Sequence, residues 1–165
     1  MSSTDDLRST MESTLLALLD TQAISPSNRD ASRIVALMTP ECKWFIKPDS
    51  FIAKYPFIKS PRTVADEEMH LAREIAALEE SRVKILDSVV DAPARKASAR
   101  VEHWTKYTNS ERSTMEICWY FDFTDDGKKV SRVVEFIDTA VSSKVLEDMA
   151  KAGYKMKEEA EAAGK

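Results

Sequence analysis

Phe121-Asp-Phe-Thr-Asp-Asp-Gly-Lys-Lys-Val-Ser-Arg-Val-Val-Glu-Phe-Ile-Asp138 is the stretch on which the fold turns. Its middle, Asp125-Asp-Gly127, is a turn signal, because glycine enters the positive-φ conformations that tight hairpin turns need. On either side the side chains alternate, which is the period of a half-buried strand. From Ser113 to Phe123 one face carries Met115, Ile117, Trp119, Phe121 and Phe123, and the other Glu116, Cys118, Tyr120 and Asp122. From Val130 to Ile137, Val133, Glu135 and Ile137 share one face, and Arg132, Val134 and Phe136 the other. Glu135, between two apolar neighbours, is read as an inward carboxylate.

Working upstream, Arg95 to Tyr107 is a second long alternating run. His103 lies on its apolar face with Ala97, Ala99, Val101, Thr105 and Tyr107, while Trp104 lies on the opposite face. Thr108-Asn-Ser-Glu-Arg112 joins the two runs as a hairpin loop, and Arg82 to Val90 precedes them as another strand, ended by Asp91-Ala-Pro93. Before the sheet the period changes to that of helices. Residues 5 to 22 carry Leu7, Met11, Leu15, Leu18 and Leu19 at helical spacing. A second helix is expected from Asp30 as N-cap to Thr39-Pro40, burying Ile34, Val35, Leu37 and Met38. Cys42 to Ile46 reads as a short strand. A third helix is expected from Thr63 to Glu79, with Thr63 and Asp66 spaced as a capping box. Its apolar stripe is Val64, Leu71, Ile75 and Leu78, and His70 falls on the flank of that stripe. Between Pro48 and Pro61 the apolar residues Phe51, Ile52, Tyr55, Phe57 and Ile58 form a flap that covers the core, a pocket wall, or both. A last helix starts near Ser142 and carries Val145, Leu146, Met149 and Tyr154 on one side, and residues 158–165 are expected to fray. The order of elements is that of an α+β fold, with residues 1–165 forming a single domain.

Composition excludes several functions. Three glycines in the whole chain leave no room for a GxGxxG or Walker loop. Two cysteines, Cys42 and Cys118, without a CxxC or HExxH motif, point to reduced thiols and no metal site. No cofactor is expected. A net charge of −4 with interspersed signs disfavours nucleic acid. No apolar run reaches the roughly 20 residues of a membrane span, and the polar, acidic start is unlike a signal peptide. These features together read as a cytoplasmic protein. The two histidines then stand out, since imidazole exchanges a proton near neutral pH at little cost.

The hairpin, with its hydrophobic strand, acidic-Gly-Lys turn and Glu-Phe-x-Asp ending, resembles the closing hairpin of the NTF2-like superfamily, and most of all its SnoaL-like branch with many small fungal members. The resemblance covers most of residues 5 to 150. It implies a cone in which a curved, mostly antiparallel sheet wraps over three N-terminal helices, with a C-terminal helix added. His70 in Glu-Met-His-Leu and His103 in Val-Glu-His-Trp-Thr-Lys-Tyr are also similar to the paired histidines of the scytalone dehydratases in that superfamily. Asp30 is similar to their aspartate near the start of the second helix. Cys42 to Lys47 holds no tyrosine where those enzymes use one to hold the substrate water. The resemblance implies a homodimer, formed through outer-face residues such as Trp104, Tyr120 or Trp119.

The expected activity is that of a cofactor-free isomerase or cyclase acting on a small oxygenated natural product, of the aromatic polyketide or xanthone type in secondary metabolism. His103, desolvated among small apolar residues, is the first candidate base, and His70 its partner. Asp30 or Glu135 would orient an imidazole or relay a proton. Trp44, Phe51, Tyr55, Trp119 and Phe136 are candidate walls of the substrate pocket. Two other readings stand: a dehydratase-like lyase, and a non-catalytic ligand-binding or dimerisation module.

Overall fold

A computed structural model describes residues 3–155, so the expected frayed tail lies outside the described residues. The elements run α1 (Ser3–Asp20), a 3₁₀ helix (Ala31–Leu37), β1 (Met38–Lys47), α2 (Asp49–Lys54), α3 (Val64–Ala77), β2 (Leu78–Asp91), β3 (Lys96–Tyr107), β4 (Ser113–Phe123), β5 (Val130–Ile137) and α4 (Thr139–Lys151). The strands form one open sheet in the order β1-β5-β4-β3-β2. Every neighbouring pair is antiparallel except β1 with β5. Register shifts in β2 and at the end of β4 mark bulges, which increase local twist and curve a sheet.

The alternation read from β3, β4 and β5 appears as burial. Ala97, Ala99, Val101, His103, Thr105 and Tyr107 are buried from β3, and Met115, Ile117, Trp119, Phe121 and Phe123 from β4. Trp119 is thereby fixed on the inner face, 1% exposed, and has no place on the outer surface where a dimer contact was expected of it. Trp104 does face outward, under the guanidinium groups of Arg82 and Arg112. The β4–β5 turn docks on α1: Thr14 donates to the Gly127 carbonyl at 2.8 Å. Gly127 has φ +71, and a Cβ there would lie 2.8 Å from Met11 Cγ, so both conformation and space require glycine.

Several boundaries differ from expectation, among them the start of α4 at Thr139 rather than Ser142. The second helix is 3₁₀, and strand β1 begins at Met38, because Met38 pairs with Val130 and draws residues 38–41 into the sheet. Pro40 has no N–H to donate, and the β1–β5 register breaks between Met38 and Lys43. Helix α3 stops at Ala77 and β2 starts at once, so Leu78 and Glu79 are strand residues. Arg29 donates to the carbonyls of Ile75 and Leu78, satisfying groups that the helix end leaves open. The capping box at Thr63 and Asp66 is present as read.

Candidate active site

The concave side of the sheet, α3, the α2 flap and α4 enclose a cavity of about 110 Å³. Its apolar lining comes from Phe51, Phe57 and Ile58 of the flap region and from Val145, Leu146 and Met149 of α4. Among this lining stand two kinds of polar wall, one from α3 and one from the sheet.

On the α3 side, Glu67, His70 and Glu74 recur at spacings of three and four, which places them on one helix face. Arg62, just before the helix, donates to Glu67 at 3.1 Å, and both side chains are buried. His70 Nδ1 lies 2.6 Å from the Tyr154 hydroxyl, and its Nε2 lies 3.6 Å from Glu74 Oε2. Glu74 Oε1 in turn accepts from the Tyr107 hydroxyl at 2.5 Å. Burial, together with the Glu74 charge and hydrogen bond, holds the Tyr107 phenol well above its ordinary pKa, so it stays a donor.

The sheet side is different. His103 projects from β3 between Val83 and Met115, 7% exposed. Both of its ring nitrogens are buried, and among the described residues neither has a hydrogen-bond partner. Burial, which favours the neutral ring, pushes its pKa below the ordinary value, opposed by the nearby Glu74 charge and by the Gln22 backbone. Glu135 projects from β5, and Trp44 Nε1 donates to its Oε2 at 2.8 Å. Burial and repulsion from Glu67 raise the Glu135 pKa, against Trp44, Arg62 and His70, which lower it. The environment therefore shifts both Glu135 and His103 toward their uncharged forms.

Of the residues singled out in sequence, His103, His70, Glu135 and Phe51 line this cavity. Trp44 is behind it, 2% exposed, orienting Glu135 rather than forming a wall. Tyr55 packs at a tilt against Phe51 and donates to Ser143 of α4, tying the flap to that helix. Three placements correct the sequence reading. Asp30 is exposed at the start of the 3₁₀ helix, where its carboxylate accepts from Ser32 and its pKa falls for that reason; it does not reach the cavity. Trp119 is core, outside the cavity lining. Phe136 is 49% exposed on the convex face, as its alternation with Glu135 requires.

Glu67, Glu74, Arg62, Tyr107 and Tyr154 are site residues that sequence reasoning passed over. The Glu67-x-x-His70-x-x-x-Glu74 spacing was a visible signal for the helix residues. Among the described residues no group of three or more histidine, cysteine or carboxylate side chains converges as metal ligands. Cys42 is buried away from the cavity, its thiol pushed up to about 12 by burial.

The architecture has solved counterparts. The BvnE pinacolase from Penicillium brevicompactum matches with a TM-score of 0.76 at 18% identity, over 92% of this chain and 97% of that one. PrhC from Penicillium brasilianum matches with a TM-score of 0.74 at 18% identity, over 92% and 95%. An NTF2-like protein of unknown function from Burkholderia pseudomallei matches with a TM-score of 0.63 at 15% identity, over 82% and 95%. No family model and no curated protein sequence matches the chain. At these identities the likeness establishes the fold, which is NTF2-like.

Proposed function

We propose that this protein is a cofactor-free isomerase or cyclase that moves protons on a small, oxygenated natural product. His103 carries the proposal. A buried polar group without a partner costs about 1–3 kcal/mol, and here that group is an imidazole facing a cavity. A ligand that hydrogen-bonds the ring would remove that cost, and a ligand with an acidic C–H would give it a proton. In the proposed step a C–H bond next to a carbonyl breaks and its proton goes to His103. The electron pair moves toward the carbonyl oxygen, which takes the proton of the Glu135 carboxylic acid. The enol then collapses: its O–H proton returns to Glu135, and its electron pair either takes the His103 proton at a second carbon or closes a ring on a second carbonyl, whose oxygen takes that proton. The Glu74 charge favours the imidazolium formed on His103. An enclosed site keeps water from competing for these protons.

A cavity lined by both histidines supports an enzyme over a passive binding module, and the pinacolase is a precedent for catalysis on this fold. The space of about 110 Å³ is below the roughly 300–1,000 Å³ of drug-sized ligand sites. That volume suits a small, single-ring member of the aromatic polyketide or xanthone class. The convex face, with Tyr120 and Phe136 half exposed, is the proposed homodimer contact, checked by light scattering at micromolar concentration.

The test is conversion of 3-cyclohexen-1-one to 2-cyclohexen-1-one, followed by ultraviolet absorbance. Catalysis by the wild-type protein, lowered about 10²- to 10⁴-fold in a folded His103→Ala variant, is the expected result. Full activity in that variant, or no catalysis by the wild type, counts against the mechanism.

A further inference from the structure

Two carboxyl groups of the cavity are held by different means, and both holders stand on one backbone bridge. Trp44 of β1 and Arg62 face each other across it. The Trp44 N–H donates to the Arg62 carbonyl at 3.0 Å, and the Arg62 N–H donates to the Trp44 carbonyl at 2.8 Å. Residues opposed in an antiparallel pair send their side chains to the same face. The Arg62 guanidinium reaches Glu67 in the first turn of α3 at 3.1 Å, and the Trp44 indole reaches Glu135 of β5 at 2.8 Å. Strand β1 runs parallel to β5 with Ile46 beside Glu135. Trp44 therefore stands two residues back on the face of Ile46, and its large side chain spans the offset.

Glu135 thus meets a neutral donor where Glu67 meets a cation. Trp44 is buried outside the cavity lining, whereas Glu135 belongs to that lining. The hydrogen bond to Oε2 comes from behind, and Oε1 is the oxygen left to a ligand. An indole N–H donates and never accepts. It cannot take the hydrogen of the acid, and the carbonyl oxygen of a carboxylic acid is a better acceptor for it than the hydroxyl oxygen. The hydrogen of a protonated Glu135 is thereby placed on Oε1. When that hydrogen leaves, the same N–H faces a carboxylate, and a bond to a charged acceptor is roughly twice as strong as one to a neutral acceptor.

We propose that Trp44 is the positioning residue of Glu135, holding Oε2 as the carbonyl oxygen so that the acidic hydrogen enters the cavity from Oε1. In the proton-transfer step the Oε1–H bond breaks and its electron pair stays on Glu135. The proton goes to the substrate oxygen as that oxygen gains the electron pair displaced by the broken C–H bond. The Trp44 bond tightens in the same step, so the indole lowers the barrier without touching the substrate. The proton returns to Oε1 when the enol collapses. The catalytic role rests on the proton-transfer reading of this cavity, but the placement of the hydrogen can be measured without turnover.

Difference infrared spectra of the wild type and Glu135→Gln identify the C=O stretch of the Glu135 acid. Trp44→Phe keeps the apolar bulk and removes the N–H. It is expected to move that stretch to higher frequency and to raise the pH at which the band is lost by about 0.5–1 unit, because the lost bond was stronger to the charged form. Incorporation of 5-fluorotryptophan, a stronger N–H donor of nearly the same size, is expected to move the stretch to lower frequency, and it tests the placement even if Trp44→Phe fails to fold. The other two tryptophans leave that reading clear: Trp104 faces outward, and Trp119 Nε1 has no hydrogen-bond partner among the described residues. A stretch that these changes do not move, or no acid band for Glu135 at any pH where the protein is folded, overturns the proposal. Where the wild type isomerises 3-cyclohexen-1-one, Trp44→Phe is expected to slow turnover about 10- to 100-fold. The basic limb of its pH profile should also rise with Glu135, whereas lost packing alone would leave that limb in place. Full activity with an unmoved limb overturns the role. A wild type inactive on the ketone removes the proposed function and leaves the infrared band to decide the placement alone.

Discussion

The two walls of the cavity treat their polar groups in opposite ways. On the helix wall Arg62 is bonded to Glu67, His70 to Tyr154, and Glu74 to Tyr107. On the sheet wall His103 has no hydrogen-bond partner for either nitrogen among the described residues. A network that satisfies itself fixes geometry, whereas an unsatisfied group in a cavity spends stability that a ligand can return. The contrast teaches where to look for binding. The orphaned imidazole marks the substrate's place more clearly than the richer cluster beside it.

The sharpest way to break this contrast is on the helix wall. Arg62→Met leaves Glu67 buried without its cation and is expected to cost about 3–5 kcal/mol in urea unfolding. Adding Glu67→Leu should restore most of it, since an apolar pair of similar size replaces a buried ion pair at little cost. A loss under about 1 kcal/mol for Arg62→Met would mean that the wall does not depend on its internal pairing.

The sheet wall should reveal itself through pH. His103 has a folded-state pKa below its unfolded value of 6.5, so the unfolded chain binds more protons beneath that pH. Stability is therefore lost as pH falls from about 6.5 toward the folded pKa, with a slope of up to about 1.4 kcal/mol per unit. Glu135 acts in the other direction. Its folded pKa is above 4.5, so its contribution is present below that value and lost as pH rises through the folded pKa. His103→Leu should flatten the acid loss, and Glu135→Gln should flatten the loss toward neutral pH. Urea midpoints measured from pH 4 to 8 on both variants separate the two, and an unchanged pH profile in His103→Leu would place its imidazole in contact with water.

A smaller effect concerns His103 at pH 7.5, where the ring is neutral in either state. His103→Leu removes the unpartnered nitrogens at similar volume and is expected to raise stability by about 1 kcal/mol, while destroying activity. A loss of stability instead would reveal a bonding partner for the ring. The smallest effect belongs to the convex face. Tyr120→Ser and Phe136→Ser should each change monomer stability by no more than about 0.5 kcal/mol. Any larger change that depends on protein concentration would come from association through that face.

How far the site could be read depended on the element carrying each residue. His103 and Glu135 were legible because a strand turns successive side chains to opposite faces whatever it packs against. The same rule would have excluded Phe136 and moved Trp119 inside, had it been applied across the strand pairs, where Trp119 faces Glu135 and Cys118 faces Phe136. Helix residues were less legible. The flank of α3 holding Glu67, His70 and Glu74 is polar, and polar flanks of helices ordinarily face water. Asp30 was read correctly as a cap and wrongly as a site residue, because a cap only reports where a helix begins.

Backbone periodicity and local turn chemistry suffice to set the hairpins, the inward faces of the long strands, the capping box of α3 and the α+β order. The tertiary structure alone decided that the 3₁₀ turn gives way to β1 at Met38, that α3 turns its acidic flank to the sheet, and that the turn at Gly153 brings Tyr154 against His70. These are contacts between elements far apart in the chain. The residues from Asp66 to Glu74 and those from Lys151 to Tyr154 carry no local mark of one another. Only the closing of the sheet over the helices sets the distance between them.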